Sequence, residues 1–267
     1  MTYKYVLYEK RNRIAFVTIN RPEAMNAVSF EANSELFDVW TDFAEDPEVW
    51  IAILTGAGQK AFCAGSDIKA MVTATEEQRA MSNTEREARN SHVQEGGLVH
   101  REIWKPIIAA VNGYALGGGF EVALACDIII AADHAEVGLP EPRVGLYAGA
   151  GGVHRLPRHI PMKIAMGMML TARRIKAEEA QKLGLINEVV PLADLIPTAE
   201  RWANEILECA PLSVRASKQM AIQGLDSPLN IAFARNYSEQ QKQVASNDRV
   251  EGPRAFSEKR PPNWTAN

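Results

Sequence analysis

The stretch of sequence that decides the fold is Val111-Asn-Gly-Tyr-Ala-Leu-Gly-Gly-Gly-Phe-Glu-Val-Ala-Leu-Ala-Cys-Asp127, with three consecutive glycines at positions 117 to 119. An apolar strand leads into these glycines, and an Ala-rich segment typical of a buried helix follows them. Glycine lets the backbone approach a ligand closely and adopt a positive φ, so that N–H groups can point at a bound oxygen. The N-terminus of the helix adds the positive end of its dipole. The stretch predicts a hole for a developing oxyanion, with a flexible or closely packed loop as the alternative.

Apolar strands alternate with helical segments on both sides of this stretch. A hairpin of strands is predicted over residues 3–19, a helix capped by Ser29 follows to about residue 45, and further strands are predicted at 50–54, 106–111 and 127–131. Buried strands that alternate with helices predict an α/β fold. From Pro161 onward the pattern turns helical. We therefore divide the chain into an α/β core over residues 1–200 and a helical C-terminal region over residues 201–267.

Charge and hydropathy argue against two classes of partner. The 267 residues include 29 Lys and Arg against 33 Asp and Glu, a net charge of −4, whereas a nucleic-acid-binding protein usually carries a basic excess. The most apolar segment, residues 107–132, contains Glu121 and Asp127, and a charge at the centre of a bilayer costs about 2.5–3.5 kcal/mol. We expect neither a nucleic-acid partner nor a membrane span.

The cysteines and the absence of several motifs narrow the chemistry further. Cys63, Cys126 and Cys209 are too few and too scattered for a disulfide framework, and no CxxC pair or Cys/His cluster indicates zinc. They predict a reducing, cytoplasmic location and no metal site. The sequence has no P-loop, GxSxG or HExxH motif, and neither glycine-rich segment completes the GxGxxG pattern of a pyridine-nucleotide site.

Two carboxylates lie in apolar sequence at and after the glycines. Glu121 falls in the first turn of the predicted apolar helix, and Glu141 follows Gly138-Leu-Pro140 twenty residues later. A desolvated carboxyl group has a raised pKa and suits general acid–base catalysis. Two such groups in one cleft can divide the work, one activating water and the other delivering a proton. The alternatives are that Glu121 only favours the helix dipole and that Glu141 only caps a turn.

Motifs in a fixed order extend this pattern over nearly the whole chain. Asn20-Arg-Pro-Glu-Ala-Met-Asn-Ala27 precedes the turn Ala64-Gly-Ser-Asp67, in which Asp67 is predicted to cap a helix. The glycines and the two glutamates follow, then the glycine-rich segment 149–156 and the tail Ala255-Phe-Ser-Glu-Lys-Arg260. Taken together and in this order, these motifs resemble the enoyl-CoA hydratase/isomerase (crotonase) superfamily. Because both glutamates are present, the chain resembles the hydratases of that superfamily.

The resemblance implies a crotonase (ClpP-like) spiral of ββα units with a helical C-terminal trimerisation region, assembled as a homotrimer or as a homohexamer of two trimers. It implies an oxyanion hole formed by the backbone N–H groups of Ala64 and Gly118, with Glu121 and Glu141 as the catalytic pair. CoA would enter as part of the substrate, and no separate cofactor is expected. The positions that match CoA-binding or substrate-binding positions of the family are Met25, Ala27, Ser66, Asp67, Ile68, Tyr147, Phe256 and Lys259. Of these, Phe256 and Lys259 match tail positions that reach the CoA of a neighbouring subunit.

The activity that the resemblance implies is hydration, or the reverse dehydration, of the α,β double bond of an acyl-CoA thioester. Tyr147-Ala148 stands where Ile-Pro is common, and the segment 72–99, which matches the lining of the acyl pocket, is polar. We therefore expect a short, substituted acryloyl-CoA. The tail and the pattern Gly-Gly-Val-x-Arg-Leu-Pro are most similar to carnitinyl-CoA dehydratase-like members. Open alternatives are hydration coupled to thioester hydrolysis, of the methylthioacryloyl-CoA hydratase type, and double-bond isomerisation.

Overall fold

The computed structural model describes residues 3–68 and 97–267. Most of the segment 72–99, which the resemblance assigns to the acyl pocket, lies outside the described residues. Within the described ranges, no helix is both long enough and apolar enough to cross a bilayer.

Two sheets form the centre of the described part of the chain. In chain order the strands are β1 (Val6–Arg11), β2 (Ile14–Ile19), β3 (Ile51–Gly56), β4 (Ala61–Cys63), β5 (Ile107–Val111), β6 (Tyr114–Leu116), β7 (Ile128–Ala132), β8 (Glu136–Gly138), β9 (Arg174–Lys176) and β10 (Glu188–Val190). The larger sheet has the order β1-β2-β3-β5-β7-β10, and its neighbours are parallel except for β1 and β2. The smaller sheet has the order β4-β6-β8-β9, in which β4, β6 and β8 are parallel.

Consecutive strands alternate between the two sheets. β3, β5 and β7 lie in the larger sheet, and β4, β6 and β8, which follow them in the chain, lie in the smaller one. A helix follows β6, and a 3₁₀ turn (Glu141–Val144) follows β8 soon afterwards. The chain therefore winds through repeated ββα-like units, and the predicted α/β class is confirmed.

The helices of the described residues cover both faces of the larger sheet and form the C-terminal region. They are α1 (Phe30–Glu45), α2 (Gly118–Ala125), α3 (Gly152–His159), α4 (Met162–Thr171), α5 (Ala177–Lys182), α6 (Leu195–Leu207), α7 (Pro211–Gly224), α8 (Leu229–Ala234), α9 (Ser238–Ala245) and α10 (Asp248–Ser257). The predicted cap of α1 is confirmed, because the Ser29 hydroxyl accepts the N–H of Ala32 at 3.3 Å.

The alternation of side chains along the central strands divides the core into two layers. On β3, Ile51 and Ile53 pack on the side of α6, whereas Ala52 and Leu54 pack on the side of α1. This is the two-residue period of a strand that is buried on both faces. The smaller sheet is thereby held in a fixed place beside a rigid larger one.

The hairpin agrees with the sequence prediction, whereas the C-terminal part departs from it. Asn12 and Arg13 connect β1 to β2 with φ values of 49° and 65°, as a two-residue hairpin of type I′ requires. The helical pattern beyond Pro161 is interrupted by β9 and β10, which are too short to show a strand period. α6 crosses residue 200 and packs against the larger sheet, and the domain boundary at that residue stays a prediction.

Candidate active site

The three glycines join β6 to α2 and bring this turn against the end of β4. Gly117 has a φ of +55° and a ψ of −130°, and its N–H donates to the carbonyl of Gly138 at the end of β8, 2.9 Å away. A Cβ atom on Gly119 would lie 2.0 Å from the carbonyl oxygen of Cys63. Only glycine at this position allows the turn after β6 to lie directly on β4.

The turn after β4 presents one backbone N–H to this glycine turn. The Ser66 nitrogen would lie 3.6 Å from a Cβ atom on Gly118. On either side of Ser66, the carbonyl of Gly65 accepts the Val28 N–H (2.8 Å) and the N–H of Asp67 donates to the Val28 carbonyl (3.1 Å). Because both flanking groups point to Val28, the N–H of Ser66 points away from it, to the side of Gly118.

The structure corrects the predicted pair of N–H groups at one position. The N–H of Ala64 donates to the carbonyl of Met25 at 3.0 Å and does not face Gly118. Gly65, with a φ of +93°, turns the chain between Ala64 and Ser66, so that the two N–H groups point in different directions. Ser66 and Gly118 therefore form the opposed pair, and Ala64 and Gly118 do not.

Glu121 is buried in the first turn of α2. Its side chain is 3% exposed, and its Oε1 accepts the N–H of Gly152, at the start of α3, at 2.7 Å. Burial raises the pKa of the carboxyl group above its ordinary value, and the neighbouring Glu141 raises it further. The backbone N–H of Gly152 and the Arg155 guanidinium act in the opposite direction.

Glu141 lies in the 3₁₀ turn that follows β8, on the other end of the glycine turn. A Cβ atom on Gly117 would lie 3.1 Å from its Oε1. Its Oε2 is buried and has no hydrogen-bond partner in the described residues, and burial raises the pKa of the carboxyl group. Buried polar atoms without a partner are uncommon in folded proteins, and one at a cleft is suited to bind a water or a substrate atom.

The two carboxylates thus flank consecutive residues of one turn. Glu141 lies beside Gly117, and the Oε2 of Glu121 would lie 3.9 Å from a Cβ atom on Gly118. Consecutive Cα atoms are about 3.8 Å apart, so the carboxylates and the two N–H groups share one small site. The strand order explains this convergence, because β4, β6 and β8 are parallel neighbours whose carboxyl ends meet at one edge.

The segment 25–27 adjoins the turn after β4 through an unusual backbone. Met25 and Asn26 both have a φ of 54°, in the left-handed region that Asn tolerates better than most residues. The Asn26 side chain is fully buried and donates to the carbonyls of Ala57 (2.9 Å) and Ala61 (2.6 Å). These bonds fix the loop against β4.

Arg21, to which the sequence analysis assigned no role, connects two of the predicted CoA-binding segments. Its guanidinium donates to the carbonyl of Ala27 (2.6 Å) and pairs with the carboxylate of Asp67 (3.1 Å). Met25, Ala27 and Asp67 therefore belong to one connected unit beside Ser66. The signal in the sequence was the position of Arg21 inside the first motif.

The remaining predicted residues lie on the surface. Ile68 is 54% exposed, Tyr147 is 76% exposed, and the Tyr147 ring packs over Gly149, where a Cβ atom would lie 3.0 Å from the ring. Phe256, which is 87% exposed, lies on α10, and Lys259 follows that helix with a φ of 54°. Within the described chain, α10 packs against α9 of the C-terminal region.

The chemistry of the site comes from two backbone donors and two carboxyl groups. The opposed N–H groups can hold an oxygen that gains negative charge, and the carboxyl groups can activate water and transfer protons. Among the residues that the structure describes, no three His, Cys, Asp or Glu side chains are grouped as metal ligands.

Comparisons with known proteins agree with this arrangement. Residues 9–267 match the family model of enoyl-CoA hydratase/isomerase. The chain is 43% identical over 259 residues to (E)-benzylidenesuccinyl-CoA hydratase of Thauera aromatica, covering 96% of this chain and 97% of that protein. It is 40% identical to carnitinyl-CoA dehydratase of Escherichia coli K12, covering 96% of each. The crystal structure of an enoyl-CoA hydratase from Mycobacterium marinum superposes with a TM-score of 0.86 at 40% identity, covering 98% of this chain and 99% of that one.

The buried charge of Glu141 should reduce the stability of the folded protein at neutral pH. Folding raises the pKa of Glu141 above its ordinary value of 4.5. Ionised Glu141 therefore lowers the free energy of unfolding, and this loss develops as the pH rises from 4.5 toward the pKa of the folded state. At lower pH the group is protonated in both states and the loss is absent. We expect Glu141→Gln to be more stable than the wild type by about 1 kcal/mol at pH 7.5, with a smaller difference at pH 4. Urea unfolding at the two pH values measures this.

The matched control is Glu48→Gln, because Glu48 is exposed and lies on the loop before β3. This variant should unfold like the wild type at both pH values. Two outcomes would contradict the account of a desolvated carboxylate. In the first, Glu141→Gln is less stable than the wild type at pH 7.5. In the second, the difference in stability between the two proteins does not change with pH.

Proposed function

The chain belongs to the enoyl-CoA hydratase/isomerase family and is an enzyme of the hydro-lyase type, and we propose that it adds water to, or removes it from, a short, substituted acryloyl-CoA thioester. The observation that carries this proposal is the pair of carboxylates on one glycine turn, with a buried Oε2 of Glu141 that has no described partner. Two carboxyl groups are what the addition of water needs, because one must activate the water and the other must protonate carbon.

In the proposed mechanism, the thioester carbonyl oxygen binds between the N–H groups of Ser66 and Gly118. One water lies between Glu121 and Glu141. Glu121 accepts a proton from the water while the water oxygen adds to the β-carbon. The electron pair of the double bond moves onto the thioester oxygen, and the two N–H groups stabilise this enolate. Glu141 then delivers a proton to the α-carbon, and dehydration follows the same steps in reverse.

The surroundings of the two glutamates support this assignment of roles. Burial raises the pKa of both carboxyl groups, but Glu121 also accepts a backbone N–H and lies near a cation, which favour its ionised form. Glu141 lacks a described partner for its Oε2, which favours the protonated form. Surroundings that act differently on two carboxyl groups divide them into a base and an acid.

The proposed binding site for CoA is the connected unit next to Ser66. Met25, Ala27, Asp67 and the adjacent Ile68 would bind the CoA portion of the substrate, with Arg21 holding the two segments together. We propose no further cofactor.

The proposed acyl group is a substituted one. The two relatives described above are named for (E)-benzylidenesuccinyl-CoA and carnitinyl-CoA, and neither name is that of an unsubstituted fatty acyl group. Tyr147, whose ring lies exposed beside Gly149, is the residue that we propose to contact this part of the substrate.

We also propose that the chain acts as a homotrimer or as a dimer of trimers. The C-terminal helices expose an apolar patch, defined here as Leu225, Leu229 and Phe233, whose members are 71–81% exposed. Exposed apolar patches of this kind are typical of subunit interfaces. In such an assembly Phe256 and Lys259 would reach the CoA bound to a neighbouring subunit.

Incubation with crotonyl-CoA and with a β-substituted acryloyl-CoA tests the activity. We expect a product heavier by one water with CoA still attached, identified by mass spectrometry alongside a free-thiol assay. Glu121→Gln and Glu141→Gln should each lower kcat by at least about 100-fold, because each removes a proton-transfer group. Glu48→Gln is the control and should keep wild-type activity.

The other products would point to the alternative reactions. Release of free CoA would favour hydration coupled to thioester hydrolysis, and a product of unchanged mass with a shifted double bond would favour isomerisation. No turnover of either substrate would contradict the proposed substrate class.

Ser66→Pro tests the identity of the first donor. Proline removes the N–H of residue 66, which is not used in the bridge to Val28, and its ring would lie on the side that faces Gly118, so the variant blocks the position proposed for the substrate oxygen. Loss of one oxyanion donor typically lowers kcat by about 10²–10³-fold. Ser66→Ala keeps the N–H and should remain far more active than Ser66→Pro. Equal activity of the two variants would show that this N–H does not hold the substrate oxygen.

Sedimentation analysis tests the assembly. We expect a particle of about three or six times the 29.4 kDa chain. The double variant Leu229→Asp/Phe233→Asp should dissociate, because it places charges in the apolar patch. Leu7→Asp, on the exposed side of β1, is the control and should leave the assembly intact. A monomeric wild-type protein would rule out the proposed assembly.

A further inference from the structure

Arg155 lies in the first turn of α3, and its guanidinium folds back over the N-terminal end of that helix. One amino group (Nη1) donates to the carbonyl of Ala150 (3.2 Å), and the other (Nη2) donates to the carbonyl of Val99 (2.6 Å). A Cβ atom on Gly151, whose φ is +104°, would lie 2.1 Å from Nη1. The glycine at 151 is therefore required by the guanidinium as well as by the backbone.

The turn that Arg155 holds is the turn that binds Glu121. The carbonyl of Ala150 and the N–H of Gly152 lie on either side of Gly151, and this N–H donates to Oε1 of Glu121 at 2.7 Å. Glycine has more backbone freedom than any other residue, so Gly151 alone does not fix the direction of the next N–H. The N–H groups of His154 and Arg155 donate to the Gly151 carbonyl (3.0 and 2.7 Å), and the side-chain bond from Arg155 to Ala150 adds a constraint on the other side of Gly151.

The Arg155 guanidinium also lowers the pKa of Glu121, as the last and smallest of the causes that act on it. Arginine stays protonated even when it is half-buried, as it is here. The charged group that opposes it is Glu141, on the 3₁₀ turn after β8. The other titratable groups on the elements around α2 include the buried thiols of Cys63 and Cys126 and the exposed side chains of Tyr114, His100, His154, Arg158 and His159. Burial raises the pKa of both thiols, so they are neutral at pH 7.

We propose that Arg155 is a positioning residue for Glu121: it holds the turn at residues 150–152, so that the Gly152 N–H stays bonded to the carboxylate and favours its ionised form. The inference deepens the proposed function and rests on it, because Glu121 needs to be ionised only if it acts as the base. Its bond to Val99 extends the same constraint to the segment after residue 96.

The test is the pH dependence of hydration by the wild-type enzyme, Arg155→Met and Arg155→Lys. Removing the cation makes Glu121 harder to ionise, so the acid limb of kcat/KM for Arg155→Met should move to higher pH by about 0.5–1 unit. We expect kcat to fall by about 10- to 100-fold from loss of the oriented N–H, with KM within about threefold of the wild type. Arg155→Lys keeps the charge but not the bonds to both carbonyls, so kcat should still fall and the acid limb should move less than in Arg155→Met.

The matched control is Arg158→Met, on the same helix. Arg158 is exposed, and its ion pair with Asp226 is long, at 3.8 Å. This variant should keep both the acid limb and kcat. An Arg155→Met enzyme with the acid limb of the wild type, or with only a lower melting temperature, overturns the proposal. If Arg155→Met does not fold, the result for Arg155→Lys decides the question. A wild-type kcat in Arg155→Lys would also overturn the proposal.

A measurement without turnover separates failure of this inference from failure of the proposed function. In protein labelled with ¹³C at the glutamate carboxyl carbons, Glu121→Gln identifies the signal of Glu121. The pKa of that signal should be higher in Arg155→Met than in the wild type. An unchanged titration rejects the role of Arg155, whatever substrate the enzyme uses. A raised pKa in a protein that hydrates no CoA thioester would uphold the coupling and reject the proposed reaction.

Discussion

The site depends on direct backbone contact between the turns after β4 and β6. A Cβ atom on Gly119 would lie 2.0 Å from the carbonyl of Cys63, and one on Gly65 would lie 3.0 Å from the nitrogen of Gly118. Any side chain at these positions would push the two turns apart, and with them the N–H groups proposed to hold the substrate oxygen. Glycines lose much conformational freedom on folding, and the buried parallel strands on either side offset that loss.

Two carboxyl groups of the same chemical type acquire different properties from their positions on this framework. Glu121 is enclosed by α2 and α3, where a backbone N–H at 2.7 Å and a nearby guanidinium favour the charged form. Glu141 enters from the other side, and its buried Oε2 has no described partner. Burial of both groups destabilises the folded protein, and the same burial makes them effective in proton transfer.

Membership of the family and the details of the substrate are decided by different parts of the molecule. The turns that carry Ser66, Gly118 and the two glutamates follow strands of the smaller sheet. The residues proposed to contact the acyl part, such as Tyr147 at 76% exposure, lie on the surface of these elements. The proposed reaction therefore depends on these turns, and the proposed acyl group depends on side chains at the surface.

The sequence by itself determined the α/β class, the glycine turn and the pair of glutamates, because strand and helix periods, consecutive glycines and acids in apolar sequence are local properties. Only the tertiary structure decided which N–H groups face each other. Gly65, with a φ of +93°, and its bond to Val28 direct Ser66 rather than Ala64 toward Gly118, and no pattern in the motif shows that direction. The connection from Arg155 to Glu121 likewise passes through a turn on another element, so it exists only when the chain is folded.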